Sequence, residues 1–470
     1  MDSTLWEHQR EGIDRALKSY CFGFFFEAGT GKTRTVIEVL RHRYTDAGRI
    51  LKTIILAPQV VCPNWKAEFA KFSKIPQDKI LLLTGSGKER LETVKNTDAQ
   101  ILIMNYQTML MGPVVEALKA WGPETMIADE SHRIKNYKAQ STRKAIELSS
   151  LASFKFILSG TPILQNAMDI FSQFEFLDGG AMLGKNFFTF RRRYFTDQNA
   201  GLRSRSAAVT WAKWVPMKSR ELELTEKISQ LTLSVKKSEC LDLPPYIRQR
   251  IEVPLSKEQQ KAYDEMKRHM ITFVKDEACT AQMALHKALR LQQIVSGFIG
   301  NDDGEEYTFK EVPRLDALKE LLGDLCATNK VIVWACWRNN QKAVRGILND
   351  LKIGYREITG NIRADEREQA LVDFRTRPDV RVILGSQGAG GIGINLIEAS
   401  HAIYYSRSFS LEHDIQSEAR NYRGGSGIHD KITRIDLVAP KSIDDDVLDA
   451  LTNKQEISDR VIFNCLDREM

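Results

Sequence analysis

Cysteine is sparse in this 470-residue sequence: seven residues, at 21, 62, 240, 279, 326, 336 and 465, with no CxxC pair. An odd, dispersed set argues against a disulfide framework or a zinc site and fits reduced thiols in a cytosol. Long apolar runs are missing too: none approaches the roughly 18–20 residues of a membrane helix. The opening MDSTLWEHQREG has neither the basic nor the apolar region of a secretory leader. A secreted or membrane-spanning protein is therefore disfavoured. Hydrophobic residues make up 43% and charged residues 27%, which argues against bulk disorder or low complexity. The length suits about three to four domain-sized units.

No strong charge imbalance exists overall. The net charge is +6, compatible with a nucleic-acid partner without requiring one. Its distribution is uneven. Residues 185–237 hold twelve Lys/Arg against four acids, a local +8 that leaves the remainder at −2. Aromatics interleave there: Phe187, Phe188, Phe190, Tyr194, Phe195, Trp211 and Trp214. The aromatics are expected to pack a helical subdomain, with base stacking as the alternative; the basic residues face either phosphates or solvent.

Along the chain the pattern is α/β. Short apolar runs at 22–28, 53–58, 79–85, 101–106, 125–130 and 154–160 alternate with amphipathic stretches, as buried parallel strands and crossover helices do. A second series at 330–337, 380–386, 401–406 and 433–439 reads the same way. Between them, 257–299 carries long charged helical patterns, and NDDGEEY at 301–307 reads as an exposed connector. The expected boundaries are a first α/β lobe at 1–184, a basic aromatic-rich helical insertion at 185–245, a helical segment at 246–307 and a second lobe at 308–470.

Three stretches carry chemistry. Ala28-Gly29-Thr30-Gly31-Lys32-Thr33 follows an apolar run and precedes a helical pattern. Strand, glycine-rich turn and helix make a phosphate cradle, with backbone N–H groups and the helix dipole aimed at the anion. Lys32 would reach the β/γ-phosphates and Thr33 would ligate magnesium. Phe26 takes the place of the first glycine of the strict GxxxxGK[ST] form. The second stretch is Ala128-Asp129-Glu130-Ser131-His132, two carboxylates at a strand end. Asp129 suits a magnesium ion and Glu130 the attacking water. The third is Gln416-Ser417-Glu418-Ala419-Arg420-Asn421-Tyr422-Arg423, where two arginines three apart are expected on one helical face as cationic fingers.

In this order the stretches resemble superfamily 2 helicase motors and, within them, the Swi/Snf-type DNA translocase ATPases. The likeness covers almost the whole chain. Leu5-Trp6-Glu7-His8-Gln9 matches the adenine-reading motif, GTGKT at 29–33 the phosphate loop, and APQVVCPNW at 57–65 and ILIMNYQTM at 101–109 the DNA-tracking segments. DESHRIKN at 129–136 is the most diagnostic, with Ser131 where the family has Ala. Ser159-Gly160-Thr161-Pro162 and Gln165-Asn166, GSQGAGGIGINL at 385–396, and Gln416, Arg420 and Arg423 complete the series. Phe26, Ala28, Ala419 and the Gly-Gly-Ser after Arg423 depart from the family pattern without removing a catalytic group. With the compact insertion they suggest a minimal prokaryotic or viral form.

The resemblance implies two RecA-like parallel-sheet lobes with helical insertions between them, binding ATP and Mg2+. It makes Lys32, Asp129, Glu130, Arg420 and Arg423 catalytic. Gln9, Gly29, Thr30, Gly31, Lys32, Thr33, Gly393 and Gln416 would hold the nucleotide, and Thr33 and Asp129 the metal. His132, Ser159 and Thr161 would couple nucleotide state to DNA. Pro58, Asn105, Tyr106, Ser386, Gly390 and Gly391 would touch the DNA backbone. His8 reads as packing beside Gln9, and Trp65 as packing at a strand–helix junction, with DNA contact as its alternative. The implied activity is ATP-driven translocation on double-stranded DNA, forked or single-stranded forms being further substrates, in the cytoplasm or nucleoid. Three other readings stay open: a strand-separating DNA or RNA helicase, a nucleotide-gated DNA binder with a vestigial ATPase, and the motor subunit of a restriction complex.

Overall fold

The computed structural model describes residues 5–163, 166–200, 212, 214–276, 281–300, 306–360, 362–390 and 394–463. The chain forms two compact units. One takes in the described residues of Met1–Gln198, Ala212–Leu241 and Lys454–Met470, the other those of Asn199–Trp211 and Asp242–Asn453. No helix among the described residues is long and apolar enough to cross a membrane.

The first unit is organised by a seven-stranded sheet, parallel throughout. Its spatial order is Ile80–Leu82, Ile101–Asn105, Thr53–Ala57, Thr125–Asp129, Phe154–Leu158, Cys21–Phe26 and Thr232–Val235. All six apolar runs supply a strand. Side chains alternate across the sheet, so each strand feeds two cores. Phe22, Phe24, Phe26, Ile55, Ile127 and Phe156 pack on one face. Phe25, Ile54, Leu56, Met126, Ala128 and Ile157 pack on the other. Burial on both faces explains why these runs are continuously apolar instead of alternating. Parallel pairing also brings the strands' C-terminal ends to one edge, where ligands bind in open α/β sheets.

Of the basic segment, the described residues 185–198 and 214–237 are part of this unit. Helix Phe187–Tyr194, the Phe195 that follows it and helix Lys218–Gln230 bury Phe190, Tyr194, Phe195, Leu224 and Ile228 in the core that holds Phe25 and Leu56, and Thr232–Val235 pairs with Cys21–Phe26. The aromatics are thus chiefly core. Among the segment's described aromatics Phe188 is the exposed one, and Trp211 lies outside the described residues. Of the arginine triplet, Arg191 lies over the Trp214 ring at 4.1 Å and Arg193 pairs with Glu223 at 2.5 Å.

The second unit carries a six-stranded parallel sheet in the order Tyr246–Glu252, Ile432–Val438, His401–Tyr404, Val331–Trp334, Val380–Gly385 and Gly354–Ile358. Val331, Val333, Val382 and Leu384 face one core, and Ile332, Trp334, Val380 and Ile383 the other. Gly385 is required for close approach, since a Cβ there would lie 2.7 Å from the Trp334 ring. Helices Lys257–Asp276 and Ala281–Val295 lie in the chain between the edge strand Tyr246–Glu252 and the other five strands of this sheet, and are helical as their charged periodicity predicts.

Candidate active site

The phosphate-type loop runs from strand Cys21–Phe26 to helix Lys32–Ala47. Gly29 and Gly31 hold φ of +90° and +85°, a region glycine enters without steric cost. A side chain at Gly31 would also collide with the Gln9 amide. The Lys32 ammonium donates to the carbonyls of Phe26 at 2.7 Å and Glu27 at 3.3 Å, across the loop it closes. Thr30 is buried and its hydroxyl donates to Glu27 O at 2.8 Å. Thr33 is the second residue of the helix.

Helix Glu7–Leu17 braces this loop. Gln9 is buried, and both ends of its amide are engaged: Oε1 accepts from Trp6 N at 2.9 Å and Nε2 donates to Gly31 O at 3.3 Å. His8 Nε2 lies 2.9 Å from Thr30 O. His8 therefore ties the helix to the loop as well as packing against Phe26.

Asp129 ends strand Thr125–Asp129 at the same edge of the same sheet. Its carboxylate is buried. Oδ2 accepts from Trp65 Nε1 at 2.8 Å, and Oδ1 accepts from Glu130 N at 2.9 Å. Burial and the neighbouring Glu130 charge push its pKa up to about 6, while Lys32 pulls the other way. Trp65 thus does more than pack: it holds one oxygen of the central carboxylate. Glu130 sits at φ +51°, uncommon for a non-glycine residue and typical of functional turns.

The expected coupling residues converge on this turn. His132 Nδ1 lies 3.5 Å from Glu130 Oε2 and 3.4 Å from Ser159 Oγ. Ser159 Oγ in turn accepts from Thr161 N at 3.0 Å. A Cβ on Gly160 would lie 3.3 Å from both Phe26 O and Ala28 N, so this loop is packed on the phosphate-type loop.

The residues expected to face DNA are placed differently. Asn105 is buried; its Oδ1 caps Thr108 N at 3.2 Å and accepts from Arg90 at 3.4 Å. The Tyr106 hydroxyl donates to Asp129 O at 2.7 Å. Both polar groups are turned into the unit, where they fix the turn after strand Ile101–Asn105. Arg90 went unnoticed in the sequence. Its guanidinium is buried and holds Gly85 O, Asn105 and Thr108 together. Pro58 is also buried, its carbonyl opening helix Cys62–Phe72.

In the second unit, helix Leu411–Glu418 ends before the two arginines. They do not share a helical face, because Arg420 O is spent accepting from Leu396 N at 2.9 Å and Gly425 turns the chain at φ +97°. They still meet: Arg420 Nη1 and Arg423 Nη1 both donate to Ile394 O, at 2.9 and 3.3 Å. Gln416 is buried, and its Oε1 has no hydrogen-bond partner among the described residues. Ser386 precedes the short helix Gln387–Gly390, and Gly390 is its last residue. Gly391 and Gly393 lie outside the described residues, as does Gln165.

Beneath helix Leu411–Glu418 is a buried charge cluster that no motif announces. Arg434 pairs with Asp414 at 2.9 Å, Asp436 at 3.1 Å and Glu418 at 3.3 Å, and Arg407 pairs with Asp436 at 2.8 Å.

Residues 8–297 match the SNF2-related domain and residues 313–425 the helicase conserved C-terminal domain. The chain is 24% identical over 445 residues to protein p41 of Acyrthosiphon pisum secondary endosymbiont phage 1, covering 92% of each. It is 28% identical over 462 residues to an uncharacterized ATP-dependent helicase of Mycoplasma genitalium, covering 97% of this chain and 42% of that one. Against chicken DNA repair and recombination protein RAD54B it is 24% identical over 515 residues, covering 98% and 54%. It therefore spans about half the length of these two cellular relatives. Among solved structures, the Sulfolobus solfataricus SWI2/SNF2 ATPase core in complex with dsDNA aligns with TM-score 0.45 and 20% identity, covering 98% of this chain and 97% of that one.

Proposed function

Because this chain belongs to the SNF2-related domain family, with a helicase conserved C-terminal domain behind it, we propose that it is an ATP-hydrolysing motor that moves along double-stranded DNA. The observation that carries this reading is that the glycine-rich loop carrying Lys32 and the turn carrying Asp129 and Glu130 leave strands of one parallel sheet at the same edge. A cation on a glycine-rich loop beside two carboxylates is the apparatus of phosphoryl transfer to water.

The residues divide the work by their chemistry. Backbone N–H groups of 29–33 and the helix N-terminus receive the phosphates, and Lys32 neutralises their charge. Gln9 positions the phosphate loop and the adenine end. Glu130 orients the attacking water and draws its proton. Arg420 and Arg423 supply positive charge for the transition state.

The donor set fits a hard divalent cation: a hydroxyl on Thr33 and a carboxylate on Asp129, whose charge is raised in energy by burial beside Glu130. Thr33 and Asp129 would hold magnesium, which when bound shields the β- and γ-phosphate charge. His132, Ser159 and Thr161 pass the state of this site to the DNA-tracking segments, and phosphate contacts without base readout suit a motor that must release and rebind. The motor works where its DNA lies, in cytoplasm or nucleoid.

Steady-state ATP hydrolysis with duplex, single-stranded and forked DNA and with duplex RNA tests this. Stimulation by duplex DNA, abolished by Glu130→Gln, is the expected result. Stimulation chiefly by single strands or RNA would transfer the reading to a strand-separating helicase.

A further inference from the structure

The turn carrying Glu130 is tied to the loop carrying Thr161 by more than one hydrogen-bonded link. One is His132 to Ser159, at 3.4 Å. Another is shorter and passes through helix Ile170–Asp178. Ser131 Oγ donates to Gln173 Oε1 at 2.6 Å. Gln173 Nε2 donates to Pro162 O at 2.6 Å and to Asp169 O at 2.9 Å. Ser131 and Gln173 are both fully buried.

The two carbonyls fix which end of the amide is nitrogen, so Oε1 must face Ser131 and Ser131 must donate. Alanine at 131, as in the family pattern, would strand Gln173 Oε1 in the core. An apolar residue at 173 would strand the Ser131 hydroxyl and the Pro162 carbonyl. Either change leaves a buried polar group unmatched, so the two residues act as a unit. Pro162 belongs to the same tight loop as Gly160, whose backbone lies against Phe26 O and Ala28 N. A movement of the phosphate-type loop is thereby carried through Pro162 and Gln173 to the residue next to Glu130.

We propose that Ser131 and Gln173 form a positioning pair that keeps the Glu130 turn in register with the phosphate loop and so couples ATP hydrolysis to DNA. This rests on the reading of Glu130 as the base in a DNA-stimulated ATPase.

The test compares wild type, Ser131→Ala, Ser131→Thr, Gln173→Leu and the Ser131→Ala/Gln173→Leu double variant. Thermal unfolding establishes that each is folded, and kcat and KM for ATP are measured with and without duplex DNA. Each single apolar variant should lower the duplex-stimulated kcat about tenfold, with KM for ATP within about twofold, the loss of one buried hydrogen bond in the transition state. Ser131→Thr keeps the hydroxyl and should stay near wild type. The double variant should be no worse than the weaker single one.

Folded single variants with wild-type stimulation overturn the pair's role, as does a Ser131→Thr variant as impaired as Ser131→Ala. Should a single variant fail to fold, the double variant decides, because both of its positions are apolar: full stimulation overturns the proposal and reduced stimulation supports it. A wild type that hydrolyses ATP without responding to duplex DNA overturns the functional reading and the coupling role together. A responsive wild type with responsive variants overturns the pair alone.

Discussion

At the scale of single residues, Asp129 is the costliest group in the site. It is a buried carboxylate with a second carboxylate beside it, relieved by one indole N–H and one backbone N–H. Its folded-state pKa is raised above the ordinary value, so the native state holds its proton more tightly than the unfolded chain. Stability from this group is therefore fully present below about pH 4 and is lost as pH rises through about 6. In metal-free buffer, the melting temperature of wild type should fall across that window more than that of Glu130→Gln, which removes the neighbouring charge. Equal slopes would show that Glu130 does not drive the shift. Trp65→Phe keeps the ring but drops the N–H. It should cost about 1–2 kcal/mol in denaturant unfolding, since a charged acceptor loses a buried donor. No sequence pattern joined Trp65 to Asp129, because the two are 64 positions apart.

At the scale of elements, the helix before the arginines depends on ions it does not share a motif with. Arg434, from strand Ile432–Val438, is almost wholly buried among Asp414, Glu418 and Asp436, and lies 4.0 Å over the Tyr404 ring. Removing one member leaves uncompensated charge in the interior. Arg434→Met should destabilise the chain by about 3–5 kcal/mol in equilibrium unfolding. A cost below 1 kcal/mol would mean that the carboxylates find water. Most strands were legible because burial on both faces demands unbroken apolar runs. Among the strands of the two large sheets, Thr232–Val235, Tyr246–Glu252 and Gly354–Ile358 were not. The first is a short run inside a basic, helical-looking segment. The second, YIRQRIE, is an edge strand with polar side chains, recognisable only by its pairing with Ile432–Val438.

At the scale of the whole molecule, charge is the property to test. The excess of +8 in residues 185–237 reads as one basic surface from the sequence alone. Folding divides it: Arg191 covers aromatic rings and Arg193 neutralises Glu223, while Arg192 is exposed and, among the described residues, has no carboxylate partner. A duplex-binding surface should therefore lose about one unit of salt slope with Arg192→Glu and none with Arg193→Glu, measured as log affinity against log salt. Identical slopes for all three proteins would remove this helix from the DNA contact.

The sequence by itself determined the two-sheet plan, the phosphate-type loop and the Asp129–Glu130 turn. Each depends on neighbours within a few positions: a buried run, glycines at positive φ, a carboxylate at a strand end. The tertiary structure alone decided that Trp65 holds Asp129, that Gln173 joins Ser131 to Pro162, and that Arg434 underlies the helix before Arg420. It also turned Asn105 and the Tyr106 hydroxyl inward and ended the helix short of the arginines. These outcomes are set by satisfying buried donors and charges with partners distant in the chain. That requirement acts only when the strands have brought those partners within hydrogen-bonding reach.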